Sequence, residues 1–237
     1  MKGCDEMSLI NSLPMDLYRL FEEHGLLLKV DKGSHIFQEG ESAGDIFFIK
    51  SGSVQISKET ENGKELTFRI CGKNNIIGEC SLFSPLTSHS TTAKAIIQTE
   101  VLTISKDSLE MILTQQPSLM IEYLKWLQNE NLKNQSLLRD LVLHGKKGAL
   151  FSTLIRLSNT YGEVIDEKTV FINYSLTNTD IANLCSTSRE MINRMLNDLK
   201  KQKVISFEKG YITILDLPYL KQEICCENCP SSICRID

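Results

Sequence analysis

The chain has 237 residues, of which 41% are hydrophobic and 24% charged, with a net charge of −4. That balance is ordinary for a globular protein of one large domain or two smaller ones. It excludes a membrane-spanning helix, since no apolar run approaches the roughly 18 residues needed, and the polar stretch at residues 1–6 lacks the apolar core of a secretory signal.

A cytoplasmic location is therefore expected. Thiols stay reduced there, so the eight cysteines are not read as a disulfide framework.

Between about residues 25 and 105, short apolar runs are broken by Gly, Asn and Ser. They include Ile46-Phe47-Phe48-Ile49, Val54-Gln55-Ile56, Leu66 to Ile70 and Val101 to Ile104. Ser51-Gly52, Asn62-Gly63 and Lys73-Asn74-Asn75 mark turns, and Asn-Gly between two such runs signals a hairpin. Many short, evenly spaced strands suggest a small antiparallel barrel or roll.

Pro117 opens a long helical stretch, at a position where proline is favoured. Met120, Leu124, Leu127, Asn131, Asn134, Leu138 and Leu141 recur at four- and three-residue steps, a heptad seam running toward Gly145. Asn at seam positions costs stability but can fix register in a pair of helices. A parallel dimer helix is the preferred reading over a helix packed on its own domain.

Residues 145–210 carry ten Lys/Arg against seven Asp/Glu, a locally basic module on an acidic body. Thr177 to Asp180 fits a capping box that starts a helix. After a break at Cys185-Ser186-Thr187, residues 188–200 form a second helix with Ile192, Met195, Leu196 and Leu199 as its buried stripe. Residues 204–214 then read as a hairpin. Helix, turn, helix and hairpin make a winged helix-turn-helix.

Ser188, Arg189, Glu190, Asn193 and Arg194 cluster on the first turns of that second helix. Arg can fork onto guanine O6 and N7, and Glu can accept from the cytosine amine. Ser188 and the helix N-terminus can hold a phosphate. The competing reading makes Thr187 to Glu190 a capping box and Arg194 a surface charge.

The tail reads Ile224-Cys225-Cys226-Glu227-Asn228-Cys229-Pro230-Ser231-Ser232-Ile233-Cys234. A Cys-x2-Cys-x4-Cys spacing lets three sulfurs converge on a soft metal or an iron–sulfur cluster. Tetrahedral zinc, with His144 or an Asp as a fourth ligand, is the other metal reading. Adjacent cysteines point apart in extended chain, which sets Cys225 aside. Cys71, Cys80 and Cys185 sit among apolar neighbours as buried fillers, and Cys4 lies near the N-terminus. A P-loop, a His-Glu-x-x-His motif and a nucleophile triad are all missing, so an enzyme is not expected.

Roll, dimer helix and winged helix-turn-helix, in that order, resemble the Crp/Fnr family of bacterial transcription regulators over almost the whole chain. Gly78-Glu79-Cys80-Ser81-Leu82-Phe83 and Ser188-Arg189-Glu190-Met191-Ile192-Asn193-Arg194 carry the resemblance. The cysteine tail is similar to Fnr of the low-GC Gram-positive type. The resemblance implies an α+β chain with a sensory β-roll over residues 1–116, a dimerisation helix over 117–144, a DNA-binding domain over 145–220 and a cluster-binding tail over 221–237.

It also implies one [4Fe-4S] cluster per subunit, with Cys226, Cys229, Cys234 and Asp140 as ligands. The assignment of Asp140 rests on the family comparison; the residues alone favour a solvated carboxylate or a salt bridge to Arg139 or a nearby Lys, and the resemblance reverses that preference. Asp140→Ala is then expected to weaken the cluster without unfolding the cluster-free protein.

The implied partners are a second copy of the chain, palindromic DNA with TGTGA-like half-sites, and RNA polymerase. Arg189 and Arg194 would lie on guanines and Glu190 on cytosine. Cyclic nucleotide is not expected: Gly78, Glu79 and Ser90 match the family's ligand motif, but His89 stands where its phosphate-binding arginine belongs. The alternative is a cyclic-nucleotide-gated regulator with a structural zinc tail.

Overall fold

The computed structural model describes residues 15–237, apart from the side chain of Cys80. Cys4 and the side chain of Cys80 thus lie outside the described residues. The chain divides into two compact units. One holds the described residues up to Lys58 together with Phe68–Asn129, and the other holds Glu59–Thr67 and Glu130–Ile236.

The first unit begins with α1 (Met15–His24), β1 (Leu26–Val30), β2 (His35–Phe37), β3 (Asp45–Ser51) and β4 (Val54–Glu59). There follow β5 (Glu65–Cys71), β6 (Ile76–Ile77), β7 (Thr92–Ala95), β8 (Thr99–Ser105), α2 (Lys106–Gln115) and α3 (Pro117–Leu143), which runs on into the second unit. Two antiparallel sheets form, with strand orders β1-β8-β3-β6 and β2-β7-β4-β5.

The run Ile46 to Ile49 is apolar without alternation because β3 is covered on both faces. Ile46 and Phe48 join Leu17, Phe21 and Leu109 in one core, while Phe47 and Ile49 join Val54, Ile56 and Val101 in another. The Asn62-Gly63 hairpin is wider than the two-residue turn its sequence suggests. Only Gly63 takes a positive φ, and Thr60 and Lys64 close the loop through a 2.8 Å backbone hydrogen bond. A type I′ turn needs positive φ at both central residues.

Helix α3 starts at Pro117, as its sequence suggests. Leu119 and Tyr123 are buried in the first unit's core. On the seam, Leu124, Leu127 and Leu138 are exposed, as are Asn131 and Asn134, and Met120 and Leu141 are half-buried. The chain by itself does not cover this face.

The second unit continues with α4 (Gly145–Tyr161), β9 (Gly162–Val164), β10 (Val170–Ile172), α5 (Asn178–Leu184), α6 (Arg189–Lys201), β11 (Ile205–Glu208), β12 (Tyr211–Ile214) and α7 (Leu217–Glu223). Gly145 separates α3 from α4 with φ +58°, a left-handed conformation that glycine adopts without steric cost. Helix α4 is buried from Gly148 to Ser158 and forms the unit's spine. The sheet order is β11-β12-β10-β9, with β11 and β12 as the expected hairpin. No helix among the described residues is long and apolar enough to cross a membrane.

Candidate functional site

Two groups of residues stand out in the second unit, and the first is the start of α6. Helix α5 opens with the full capping box: Thr177 accepts from the Asp180 backbone N–H, and the Asp180 carboxylate accepts from the Thr177 N–H. The chain reverses through Ser186, at φ +48°, and α6 begins after Ser188, whose hydroxyl accepts from the Met191 N–H at 3.3 Å. With Ser188 as the cap, Glu190 falls one position short of the third helical residue, so no Thr187–Glu190 box forms. The Thr187 hydroxyl is buried without a hydrogen-bond partner.

Ser188, Arg189, Glu190, Asn193 and Arg194 are all exposed, while Ile192, Leu196 and Leu199 face the core. Asn193 accepts a 3.3 Å hydrogen bond from Asn178, and an Arg194 guanidinium nitrogen lies 2.9 Å from the Met191 sulfur. The Glu190 carboxyl is held below its ordinary range by its own backbone N–H and then by the Ser188 hydroxyl. The helix thus presents two cations, a carboxylate and an amide on one solvent-facing end.

The second group is the cysteine tail. Helix α7 ends in a Schellman motif, with Cys225 N–H donating to Gln222 O at 3.0 Å and Cys226 N–H to Lys221 O at 2.9 Å. Cys225 is the left-handed residue of that motif, at φ +46°, and is exposed. Its backbone is therefore a turn, not extended chain, and the turn carries Cys226 onward. Cys225→Gly is expected to stabilise the protein by about 1 kcal/mol, since glycine adopts this conformation freely. Chemical unfolding of the cluster-free protein measures it; a loss of stability would show that the Cys225 side chain has a role.

Beyond Pro230, the tail is fastened to α4. Asn159 Nδ2 donates to Cys234 O at 2.7 Å, Arg235 Nη1 to Asn159 O at 2.9 Å, and Ile236 N–H to Thr160 Oγ1 at 3.1 Å. Ile236 is buried. Cys226, Cys229 and Cys234 are all half-buried. Cys229 Sγ lies 4.0 Å from Ser136 Oγ on α3. Burial pushes the Cys234 thiol up; the Arg156 guanidinium opposes this, and the charges of Cys226, Cys229 and Asp140 add to it. Cys234 thus lies within electrostatic reach of Cys226, Cys229 and Asp140.

Asp140 is only 3% exposed. Its Oδ1 accepts from Arg139 Nε and Nη2 at 3.0 and 2.8 Å. Its Oδ2 accepts from Ser152 Oγ at 2.5 Å and from Arg156 Nη2 at 2.9 Å. Burial raises the Asp140 carboxyl, but Ser152, Arg139 and Arg156 outweigh it and hold the group below its ordinary value.

Arg156, 1% exposed, is the centre of this network: it also donates to Ser152 Oγ, Ser136 Oγ and Arg235 O. The salt bridge to Arg139 that the sequence allowed is present. Arg156, Ser152 and Ser136 were not anticipated. The available signal was a lone arginine inside the apolar run of residues 149–157, which a buried carboxylate has to neutralise.

Three thiols and a carboxylate match the four protein ligands of an iron–sulfur cluster. In such a cluster each ligand would hold a separate iron, so the donors would need to ring a space and not share one point. Among the described residues, no three His, Cys, Asp or Glu side chains stand close enough to grip a single ion. His144, the substitute ligand for zinc, sits at the bend before α4. Four donors fill the four lone-pair sites of Asp140. It therefore fits a cluster only if one of its oxygens gives up its present partners.

In the roll, Glu79 is occupied by Arg69 at 2.8 Å, and His89 stacks on Phe37 with ring centroids 3.8 Å apart. Ser90 is exposed. Burial holds His89 below its usual range, against Glu41 and Asp45, which push it up. A lowered folded-state value gives stability that is present above the unfolded value of about 6.5 and lost as pH falls through the folded value. Melting temperature is therefore expected to fall between pH 7.5 and 5.5, and to fall less in His89→Phe, which keeps the stack. An unchanged pH dependence would contradict this.

Buried Cys185, its thiol pushed up to about 12 by desolvation, touches Thr153 Oγ1 at 3.5 Å and is an inert filler. Cys71 is likewise buried.

Comparison with known proteins gives a consistent result. The model of the cyclic nucleotide-binding domain matches residues 27–116, and that of the Crp-like helix-turn-helix domain matches residues 149–223. The chain is 48% identical to the anaerobic regulatory protein of Bacillus subtilis over 223 residues, covering 94% of this chain and 93% of that one. It is 26% identical to the CRP-like cAMP-activated global transcriptional regulator of Mycobacterium tuberculosis, over 78% of this chain and 82% of that one. Among solved structures, a CooA mutant from Carboxydothermus hydrogenoformans matches with a TM-score of 0.74 at 19% identity, covering 90% of this chain and 96% of that one.

Proposed function

The chain belongs to the Crp/Fnr family of transcription regulators, and from that premise we propose that it is an oxygen-responsive member whose specific DNA binding is controlled by a [4Fe-4S] cluster on Cys226, Cys229, Cys234 and Asp140. It is a DNA-binding regulator and not an enzyme. The observation that carries the reading is the approach of the tail to α3: Cys229 Sγ lies 4.0 Å from Ser136 Oγ, and Cys234 is within electrostatic reach of Cys226, Cys229 and Asp140. The anaerobic regulatory role named for the B. subtilis relative supports it. When bound, such a cluster supplies an oxygen-labile inorganic junction.

The protein's own residues supply the rest. Asn159 and Thr160 hold the tail on α4, and Ser136 and Asp140 present the α3 side. Two adjacent residues of α4 look both ways: Ser152 donates to Asp140, while Thr153 touches Cys185 at the end of α5, just before α6. A change at Asp140 thereby has a short packed route to the reading helix, a route inferred from adjacency.

The exposed seam of α3 is covered by a second copy of the chain. Its two reading helices then face half-sites about 34–36 Å apart. Arg189 and Arg194 read guanines and Glu190 reads cytosine in a TGTGA-like half-site, with Ser188 on the backbone phosphate and Asn193 setting the preference at one further base pair.

Iron, sulfide and zinc analysis of protein purified without oxygen tests the cofactor directly. About four iron and four sulfide per chain are expected, the content of one such cluster. A colourless protein holding one zinc would overturn the reading.

A further inference from the structure

Arg139 is bound at both ends. Its Nε and Nη2 cap Asp140 Oδ1 at 3.0 and 2.8 Å, while Nη1 pairs with the Glu227 carboxylate and lies 4.0 Å from Cys229 Sγ. The guanidinium therefore reaches from the carboxylate on α3 to the tail segment that bears Cys226 and Cys229. The two oxygens of Asp140 differ in how firmly they are held. Oδ2 is bound by Ser152 and Arg156, both almost wholly buried on α4. Oδ1 is bound by Arg139, whose side chain is 26% exposed and whose other partner, Glu227, is 64% exposed. Arg139 can swing into solvent; Arg156 cannot.

We propose that Arg139 is a place-holder for the cluster: in the cluster-free protein it occupies Asp140 Oδ1 and straps the tail to α3 through Glu227, and it has to leave Oδ1 before that oxygen can take iron. The inference rests on the cluster reading given above. It assigns Oδ1 as the ligating atom and Oδ2 as the permanent anchor to α4. It also makes the cluster-free junction an ion pair that salt can weaken. Arg139 is a positioning residue, acting through Asp140 and Glu227.

The test is anaerobic reconstitution of the full-length cluster-free protein with ferrous iron and sulfide, followed by visible absorbance and bound iron. Wild type, Arg139→Gln, Arg139→Lys and Glu227→Gln are compared at low and high KCl, with circular dichroism checking the fold of each. Arg139→Gln is expected to half-load at an iron concentration lower by roughly fivefold, the scale of one exposed ion pair. Arg139→Lys and Glu227→Gln should fall between it and wild type.

Raising the salt should promote loading of wild type and leave Arg139→Gln unmoved, a difference that a purely structural role does not produce. Equal loading of Arg139→Gln and wild type would overturn the place-holder. Poorer loading would do so too, since Arg139 would then be a charge partner of the loaded site. Failure of every form to take up iron and sulfide would instead sink the cluster reading itself.

Discussion

Replacing Asp140 by Ala is expected to cost the cluster-free protein about 3–5 kcal/mol, the loss typical of stranding one partner of a buried ion pair. The stranded group is Arg156, whose guanidinium is buried and would keep only the Ser136 and Ser152 hydroxyls and the Arg235 carbonyl as partners. This corrects the sequence-based expectation that the variant leaves the cluster-free fold intact: the supposed ligand is also a structural counter-ion.

Denaturant unfolding under air, with metal chelated, measures the loss; a change under 1 kcal/mol would contradict it. The double variant Asp140→Ala/Arg156→Met should recover much of the stability, because both charges go together. It is therefore the better background for the ligand question. If the double variant folds and does not hold iron and sulfide while Arg156→Met alone still does, Asp140 is a ligand. If it loads like wild type, Asp140 leaves the ligand set.

The second large effect is expected at the reading helix. Glu190→Ala should cost about 1–3 kcal/mol on a half-site that retains the cytosine and little on a half-site that has lost it. Arg189→Ala should do the same at its guanine. Competition binding against a panel of single-base variants separates readout from folding. A uniform loss across all sequences would assign Glu190 to the helix start, where it already accepts from its own N–H and from Ser188. The observed cap at Ser188 favours readout, because the alternative box beginning at Thr187 does not form.

What the sequence made legible follows from local rules. Roll strands, the proline start of α3, the Thr177–Asp180 box and the hairpin after α6 each depend on a few adjacent residues. The heptad spacing of the seam was legible because it recurs at fixed steps along one helix, and the structure leaves its Leu124, Leu127 and Leu138 exposed. The width of the Asn62-Gly63 loop was not, since loop length is settled by which strand residues pair.

The extended-chain geometry on which Cys225 was set aside is not the one observed, which is a left-handed helix end. The network about Asp140 was out of reach: Arg156 and Ser152 come to it from a separate helix, and only the fold places them there. Nothing in the spacing of Arg139, Asp140 and Glu227 shows that one guanidinium joins the other two.

The most direct measurement is the affinity of anaerobically purified protein for a TGTGA-type palindrome, taken with its visible spectrum before and after admission of air. A brown, iron- and sulfide-containing protein should bind specifically and lose about 5–150-fold in affinity as the colour bleaches, the span of a typical coupling energy. A colourless protein, or a brown one whose DNA affinity is the same before and after bleaching, would contradict the claim that the cluster controls the reading helix.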